Sequence, residues 1–203
     1  TGNSASAPLS ETNTTLTSSG TLTIRDVDLT NTVAVAIQSV TASGITTGLG
    51  SSNTQLLAML SLTPAATTNI LTNTEVVDQL AWAFNSGSEA FNHLAAGEVL
   101  TLTYAIRATD SASATADSTI TVTITGTNDA PSVTVVDVVG AITEAPNRKG
   151  YTTALVDSGS VTFADLDLTN RPSASASTAS LVAKRADGST GFSLNGAQQQ
   201  VIS

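Results

Sequence analysis

Apolar and polar residues alternate along most of this chain in short runs. Thr21-Leu22-Thr23-Ile24 does so, and Thr32-Val33-Ala34-Val35-Ala36-Ile37 does so again. Leu100, Leu102, Tyr104 and Ile106 fall on one face of a longer run. Ile120, Val122 and Ile124 share a face too, with Thr119, Thr121, Thr123 and Thr125 on the other. A period of two with threonine on the wet face predicts half-buried antiparallel strands. Several such strands separated by Gly, Asn, Asp and Ser predict an all-β, Greek-key β-sandwich. Segment 50–93 is less regular. Ser52 to Gln55, ahead of Leu56, Leu57, Met59 and Leu60, predicts a capped helical turn or two. Leu80, Trp82 and Phe84 alternate and return the chain to the sheet, with Trp82 as a packing anchor rather than a ligand platform.

One phrase occurs twice. Residues 16–31 read LTSSGTLTIRDVDLTN and residues 155–170 read LVDSGSVTFADLDLTN, identical at nine of sixteen positions with an offset of 139. A repeat outranks local signals because it fixes the architecture. It predicts a first module over 1–127, a linker over 128–132 and a second, half-length module over 133–203, opening with a strand at Val133 and Val135. Further short strands are expected at Leu181–Ala183 and Gly191–Leu194. The second module is completed either by chain beyond Ser203 or by another molecule.

Composition narrows the class. Charged residues are 11% of the 203, under half the usual share of about 25%. Aromatics are 3%, so the core falls to Val, Ile, Leu and Ala, which suits thin β-layers. Sixteen acids against seven Lys and Arg give a net charge of −9. With no basic patch to neutralise phosphates, nucleic acid is excluded as a partner. No apolar run is long enough to span a membrane, so no membrane insertion is expected. The absence of cysteine points to a bacterial or thiol-independent protein. The start on Thr1, with no cleavable signal, reads as a beginning cut away.

The acids carry the candidate chemistry. Asp26 and Asp28, and their copies Asp165 and Asp167, are spaced to share one side of an extended segment. Asn128 and Asp129 lie in the linker, and Glu11 and Glu98 precede strands of the first module. Glu11, Glu98, Asn128, Asp129, Asp165 and Asp167 together would make a site between modules. Calcium takes six to eight oxygens and accepts carboxylates and amide oxygens. The competing reading is that each Asp-x-Asp is a turn whose side chains bond the backbone. Asp110 and Asp117 read as hairpin acids. Catalysis finds little footing: His93 is the one histidine, general acid–base work would need partners for it, and a surface or packing role fits it better. Zinc spacing, a phosphate loop and a nucleophile elbow are all missing.

Three stretches resemble the VCBS repeat of large bacterial RTX-type surface adhesins. They are Phe91 to Tyr104 (FNHLAAGEVLTLTY), Thr119 to Pro131 (TITVTITGTNDAP), and Ser158-Gly159 through Asp165, Asp167 and Asn170. More distantly the chain resembles a cadherin domain. That resemblance implies tandem cadherin-like or Ig-like sandwiches with calcium at the junctions. It aligns Glu11 and Glu144 with the early cadherin Glu, and Leu94 to Glu98 with the Leu-Asp-Arg-Glu turn. It aligns both Asp-x-Asp pairs with the cadherin one, and Gly126 to Asp129 with the linker. Asp26, Asp28 and Glu144 would then belong to equivalent sites whose neighbours lie elsewhere. Gly126 replaces the first linker Asp, Ala130 the last Asn, and the turn lacks its Asp. These departures reduce the expected number of ions below the cadherin three, and leave none open as well. The RTX nonapeptide is absent, so any calcium would be of the junction kind.

The resemblance implies a non-catalytic extender of an extracellular, cell-surface adhesin, whose partners are neighbouring repeats of the same chain. The rival is a subunit of an extracellular filament, its second module completed by strands from an identical subunit. A carbohydrate-binding module would need more exposed aromatics than this chain has.

Overall fold

The computed structural model describes residues 5–135, 137, 139–143 and 156–177. Nine strands and one helix make up the regular structure among them: β1 (Ser6–Ser10), β2 (Thr17–Arg25), β3 (Val33–Gly44), α1 (Asn53–Ala58), β4 (Leu60–Thr63), β5 (Val77–Asn85), β6 (Val99–Asp110), β7 (Thr115–Thr125), β8 (Ser132–Val135) and β9 (Val161–Ala164). One sheet has the order β1-β7-β6-β3, a second β2-β5-β4, and β8 and β9 form a two-stranded third. The chain crosses between the first two sheets after β1, β2, β3 and β5. That is the Greek-key order of an immunoglobulin-like β-sandwich.

Alternation explains the two layers. In β6 the residues Leu100, Leu102, Tyr104 and Ile106 are buried, and in β7 so are Ile120, Val122 and Ile124. Leu22 of β2 and Leu80, Trp82 and Phe84 of β5 face them from the other sheet. Threonines on β7 take the opposite, wetter side. The pattern breaks once. Val33 and Val35 are buried, and so is Val40, at the opposite parity. A register shift between Ile37 and Ser39 in the β3–β6 pairing adds one residue and restores the inward face.

The expected helical turn forms α1. Ser52 and Gln55 cap it reciprocally, the Ser52 N–H donating to Gln55 Oε1 at 2.8 Å and the Gln55 N–H to Ser52 Oγ. The helix buries Leu56, whose carbonyl accepts the hydroxyl of Tyr104 at 2.8 Å. At the far end of the β6–β7 hairpin, Asp110 Oδ1 accepts the Ala114 N–H at 2.7 Å, and Arg107 pairs with Asp117 across the strands at 2.7 Å. Asp110 and Asp117 thus act as hairpin residues.

The whole buried hydrophobic cluster lies between Ala7 and Ile124. The first module therefore contains its entire core. β8 pairs with β9 antiparallel, Val133 opposite Phe163. The chain divides into two compact units between Arg171 and Pro172, downstream of the 128–132 linker on which the sequence places the boundary. The cause is the turn after β9, which is hydrogen-bonded to the first module. Of the second unit, residues 172–177 are described; they are exposed and carry no regular structure. The strands expected at 181–183 and 191–194, and Glu144, lie outside the described residues. No helix among those described is long and apolar enough to cross a membrane.

Tyr104→Phe removes the hydroxyl from a buried site and leaves the Leu56 carbonyl with the Met59 N–H alone, at 3.2 Å. The variant should lose about 0.5–1.5 kcal/mol of stability, read as a lower urea midpoint at unchanged slope.

Candidate functional site

The first module ends in a clasp. After β7 the chain enters Gly126, whose N–H donates to Glu98 O at 2.8 Å and whose carbonyl accepts the Gly97 N–H at 3.0 Å. The backbones approach so closely that a Cβ on residue 126 would sit 2.3 Å from the carbonyl oxygens of both Leu94 and Ala95. Only glycine fits. Position 126 is therefore closed to any side chain, which accounts sterically for the glycine there.

Next to the clasp, three acids are buried: Glu11, Asp129 and Asp167, at 1%, 5% and 1% exposure. Glu11 follows β1, and its own N–H is tied to Thr125 O. One of its carboxylate oxygens accepts the Asn13 N–H, and the other accepts the Thr127 hydroxyl at 2.7 Å. Asp129 Oδ1 accepts the Asn13 side-chain amide. Asp167 reaches in from the turn after β9, its Oδ2 accepting the Asp129 N–H at 3.0 Å and the Asn170 amide at 2.7 Å. The other oxygens, Asp129 Oδ2 and Asp167 Oδ1, are buried with no hydrogen-bond partner. A buried carboxylate oxygen without a donor is costly. Two such oxygens lie close together in the fold, one on Asp129 and one on Asp167, whose Oδ2 bonds the Asp129 N–H.

The remaining members lie at the rim. Glu98 is half-buried; Oε2 accepts the Ala95 N–H and Oε1 the Thr169 hydroxyl, both at 3.0 Å. Asn128 is exposed; its amide donates to Asp129 O at 2.9 Å, and its Oδ1 accepts from Asn170 at 3.4 Å. Asp165 is half-buried and accepts the Asp167 N–H at 3.1 Å. The structure thus brings Glu11, Asp129 and Asp167 together, with Glu98, Asn128 and Asp165 around them. No three acidic or histidine side chains among the described residues converge closely enough to form a ready metal cage, since most of these oxygens are turned toward protein donors.

Asp26 and Asp28 follow β2. Asp26 Oδ1 accepts the Asp28 N–H at 3.0 Å, and Asp28 is exposed. The same bond joins Asp165 and Asp167, so both pairs form the side-chain-to-backbone turn, while Asp167 additionally enters the junction.

Four contributors escaped the sequence reading: Asn13, Thr127, Thr169 and Asn170. Asn13 adopts φ 58°, a left-handed conformation that asparagine tolerates. That turn lets it bridge Glu11 and Asp129, the latter 116 positions away in sequence, which no local pattern announces. His93 is buried rather than on the surface. Its carbonyl accepts the Leu168 N–H at 3.3 Å, and its ring lies against Gly48, where a Cβ would meet the His93 side chain at 2.9 Å and Leu168 at 3.0 Å. Its role there is packing at the junction.

Desolvation is the first cause that pushes the Asp167 carboxyl above its ordinary value; Asp129, Asp165 and Glu11 push the same way, against the Asp129 N–H bond. Like charges gathered out of water resist ionisation.

No family model matches the chain, and no curated protein matches it. Among solved structures it is similar to the CooA pilin subunit from enterotoxigenic Escherichia coli, at 14% identity, over 60% of this chain and 90% of that one, with a TM-score of 0.33. It is also similar to the ASH/PapD-like domain 7 of human CEP192, at 7% identity, over 60% of this chain and 78% of that one, with a TM-score of 0.34. Neither likeness is close enough to speak to function.

Two outcomes follow from this geometry. Gly126→Asp, which restores a cadherin-type acid, should break the clasp and destabilise the first module by about 1–3 kcal/mol rather than add a ligand; thermal melting with and without calcium checks this. Asp167 holds its proton more tightly when docked, so native protein binds more protons and docking weakens as pH rises. The window opens at the ordinary carboxylate value, 3.8, and closes at the raised docked one. In chelator, the Asp129 amide resonance should report tight docking in acid and loosening through that window. Asp167→Asn should flatten the profile.

Proposed function

We propose that this chain is a non-catalytic structural module of an extracellular bacterial array, a VCBS-like extender of a surface adhesin, with calcium held at its module junctions. One observation carries this reading: Asp129 Oδ2 and Asp167 Oδ1, from different modules, are buried at one junction without a donor. Carboxylates of this kind fit a hard cation that takes oxygen ligands. Asp129 and Asp167 would be the inner ligands. Glu11 is poised to join by exchanging its Asn13 or Thr127 donor, and Glu98, Asn128 and Asp165 would complete the shell. When bound, the ion would offset the desolvation, and with it the repulsion, that now raise the Asp167 pKa, and would tie β9 to the end of β7.

The purpose of such a junction is mechanical. Apolar contact there is slight, since Leu168 stays about half-exposed, at 53%. Stiffness must come from hydrogen bonds and the ion. A second reading, a filament subunit completed by strands from an identical chain, is favoured by the β8–β9 sheet, where Val133, Val161 and Phe163 stand 58%, 47% and 43% exposed. Solution mass separates the two: a monomer supports the extender and a stable assembly the filament.

Calcium should bind with the affinity of extracellular modules, roughly 10⁻⁴–10⁻³ M, giving heat in titration that Asp129→Asn with Asp167→Asn abolishes. Chelation should broaden the spread of maximum dimensions in small-angle scattering while the melting of the first module barely moves. Identical scattering curves together with no titration heat would leave these acids as turn residues only.

A further inference from the structure

Four consecutive residues of the turn after β9, Asp167 to Asn170, bond to the end of the β1–β7 sandwich, and all four recur in the turn after β2. Asp167 Oδ2 accepts the Asp129 N–H at 3.0 Å, the Leu168 N–H donates to His93 O at 3.3 Å, the Thr169 hydroxyl donates to Glu98 Oε1 at 3.0 Å, and the Asn170 amide donates to Asn128 Oδ1 at 3.4 Å. At the offset of 139 these are Asp28, Leu29, Thr30 and Asn31, identical in type and order. Their backbone geometry is the same too, while the asparagine amides differ, Asn170 donating to Asp167 Oδ2 at 2.7 Å and Asn31 to Asp110 Oδ2 at 3.2 Å. The Asp28 N–H donates to Asp26 Oδ1 at 3.0 Å where Asp167 donates to Asp165 at 3.1 Å. The Asn31 N–H donates to Asp28 O at 2.9 Å where Asn170 donates to Asp167 O at 3.1 Å. One turn is docked, with Asp167 at 1% exposure; the other stands open, with Val27 and Leu29 at 74% and 52%.

We infer that the open turn Asp28–Asn31 is a docking surface for the opposite pole of a second copy of this module. The partner is specified by what the four residues need: a free N–H for the Asp28 carboxylate, a carbonyl for the Leu29 N–H, a carboxylate for the Thr30 hydroxyl and an amide oxygen for Asn31. The pole formed by His93, Glu98, Asn128 and Asp129 presents that set. The selectivity is polar rather than apolar, because Leu168 stays half-exposed even when docked. The turn is already in its docked shape while empty, so docking requires little ordering. Asn31 now donates to Asp110 Oδ2 at 3.2 Å and has a second amide hydrogen to offer. Because turn and pole are different surfaces of one module, the contact is heterologous and propagates head to tail. This rests on the array reading and extends it from a contact within one chain to one between copies.

Residues 1–131 retain the whole core cluster, Ala7 to Ile124, and have both an open turn and an open pole. In millimolar calcium their weight-average mass in sedimentation equilibrium should rise with concentration above that of the monomer. The 203-residue chain, whose pole is filled by its own Asp167 turn, should not associate by this route. Asp28→Ala with Thr30→Ala removes the turn, and Asn128→Ala with Asp129→Pro removes the pole. Each doubly substituted protein should be monomeric alone, and an equal mixture should give a one-to-one dimer and nothing larger. In the full chain, Asp167→Ala with Thr169→Ala frees the pole, and the same association should appear there. A fragment and a freed chain that both stay monomeric, or association that survives loss of Asp28 and Thr30, would overturn the docking surface. If docking fails while calcium still stiffens the 203-residue chain, the array reading stands without it.

Discussion

The β6–β7 hairpin is the ruler on which the first module is built. Eleven residue pairs run without a break from Val99–Thr125 to Thr109–Thr115, roughly 35 Å at the usual rise per residue. Its inward face supplies the centre of the core, and its two ends define the two poles. At the closed end Asp110 holds the hairpin and receives the Asn31 amide. At the open end Glu98 and Gly126 clasp the chain and aim it into Asn128 and Asp129. A rigid hairpin therefore fixes the distance between an acid turn at one pole and an acid cluster at the other, and both functional surfaces inherit their placement from that ladder.

The clasp also explains why the acids can be crowded. Gly126 lets two backbones approach to a distance that excludes side chains, so Glu11 and Asp129 are brought under the end of the sheet rather than left in solvent. Asn13 and Thr127 satisfy part of their hydrogen-bonding capacity, and the Asp129 N–H satisfies part of that of Asp167. What remains is two bare oxygens and a carboxyl that resists ionisation. The other Asp-x-Asp, at Asp26 and Asp28, forms the same side-chain-to-backbone turn without that burial.

Much of the sandwich was legible because its strands obey strict alternation: Leu100 to Ile106, Ile120 to Ile124 and Leu80 to Phe84 all fall inward as their spacing requires. The capping of α1 was legible from Ser52 and Gln55 for an equally local reason. The register shift in β3 was not, because one extra residue between Ile37 and Ser39 leaves no compositional mark. The junction was half legible. The repeat pointed to Asp165 and Asp167, and position in the linker or ahead of a strand to Glu11, Glu98, Asn128 and Asp129. Asn13 and Thr127 are brought there by folding alone, and His93 is buried by a contact with Leu168, 75 positions away in the sequence. A linker can be read over 128–132, but not the hydrogen bonds that carry the turn after β9 back onto Asp129 and His93.

The pairing of β1 with β7 has a mechanical consequence. The two strands are parallel, with Ser6 opposite Thr121 and Ser10 opposite Thr125. Tension applied at Ser6 and at Thr125 would act on parallel neighbours in opposite senses along one line, loading the strands in shear. Their hydrogen bonds would then fail together rather than peel one at a time. A sandwich wired this way resists pulling from those two points until it yields abruptly.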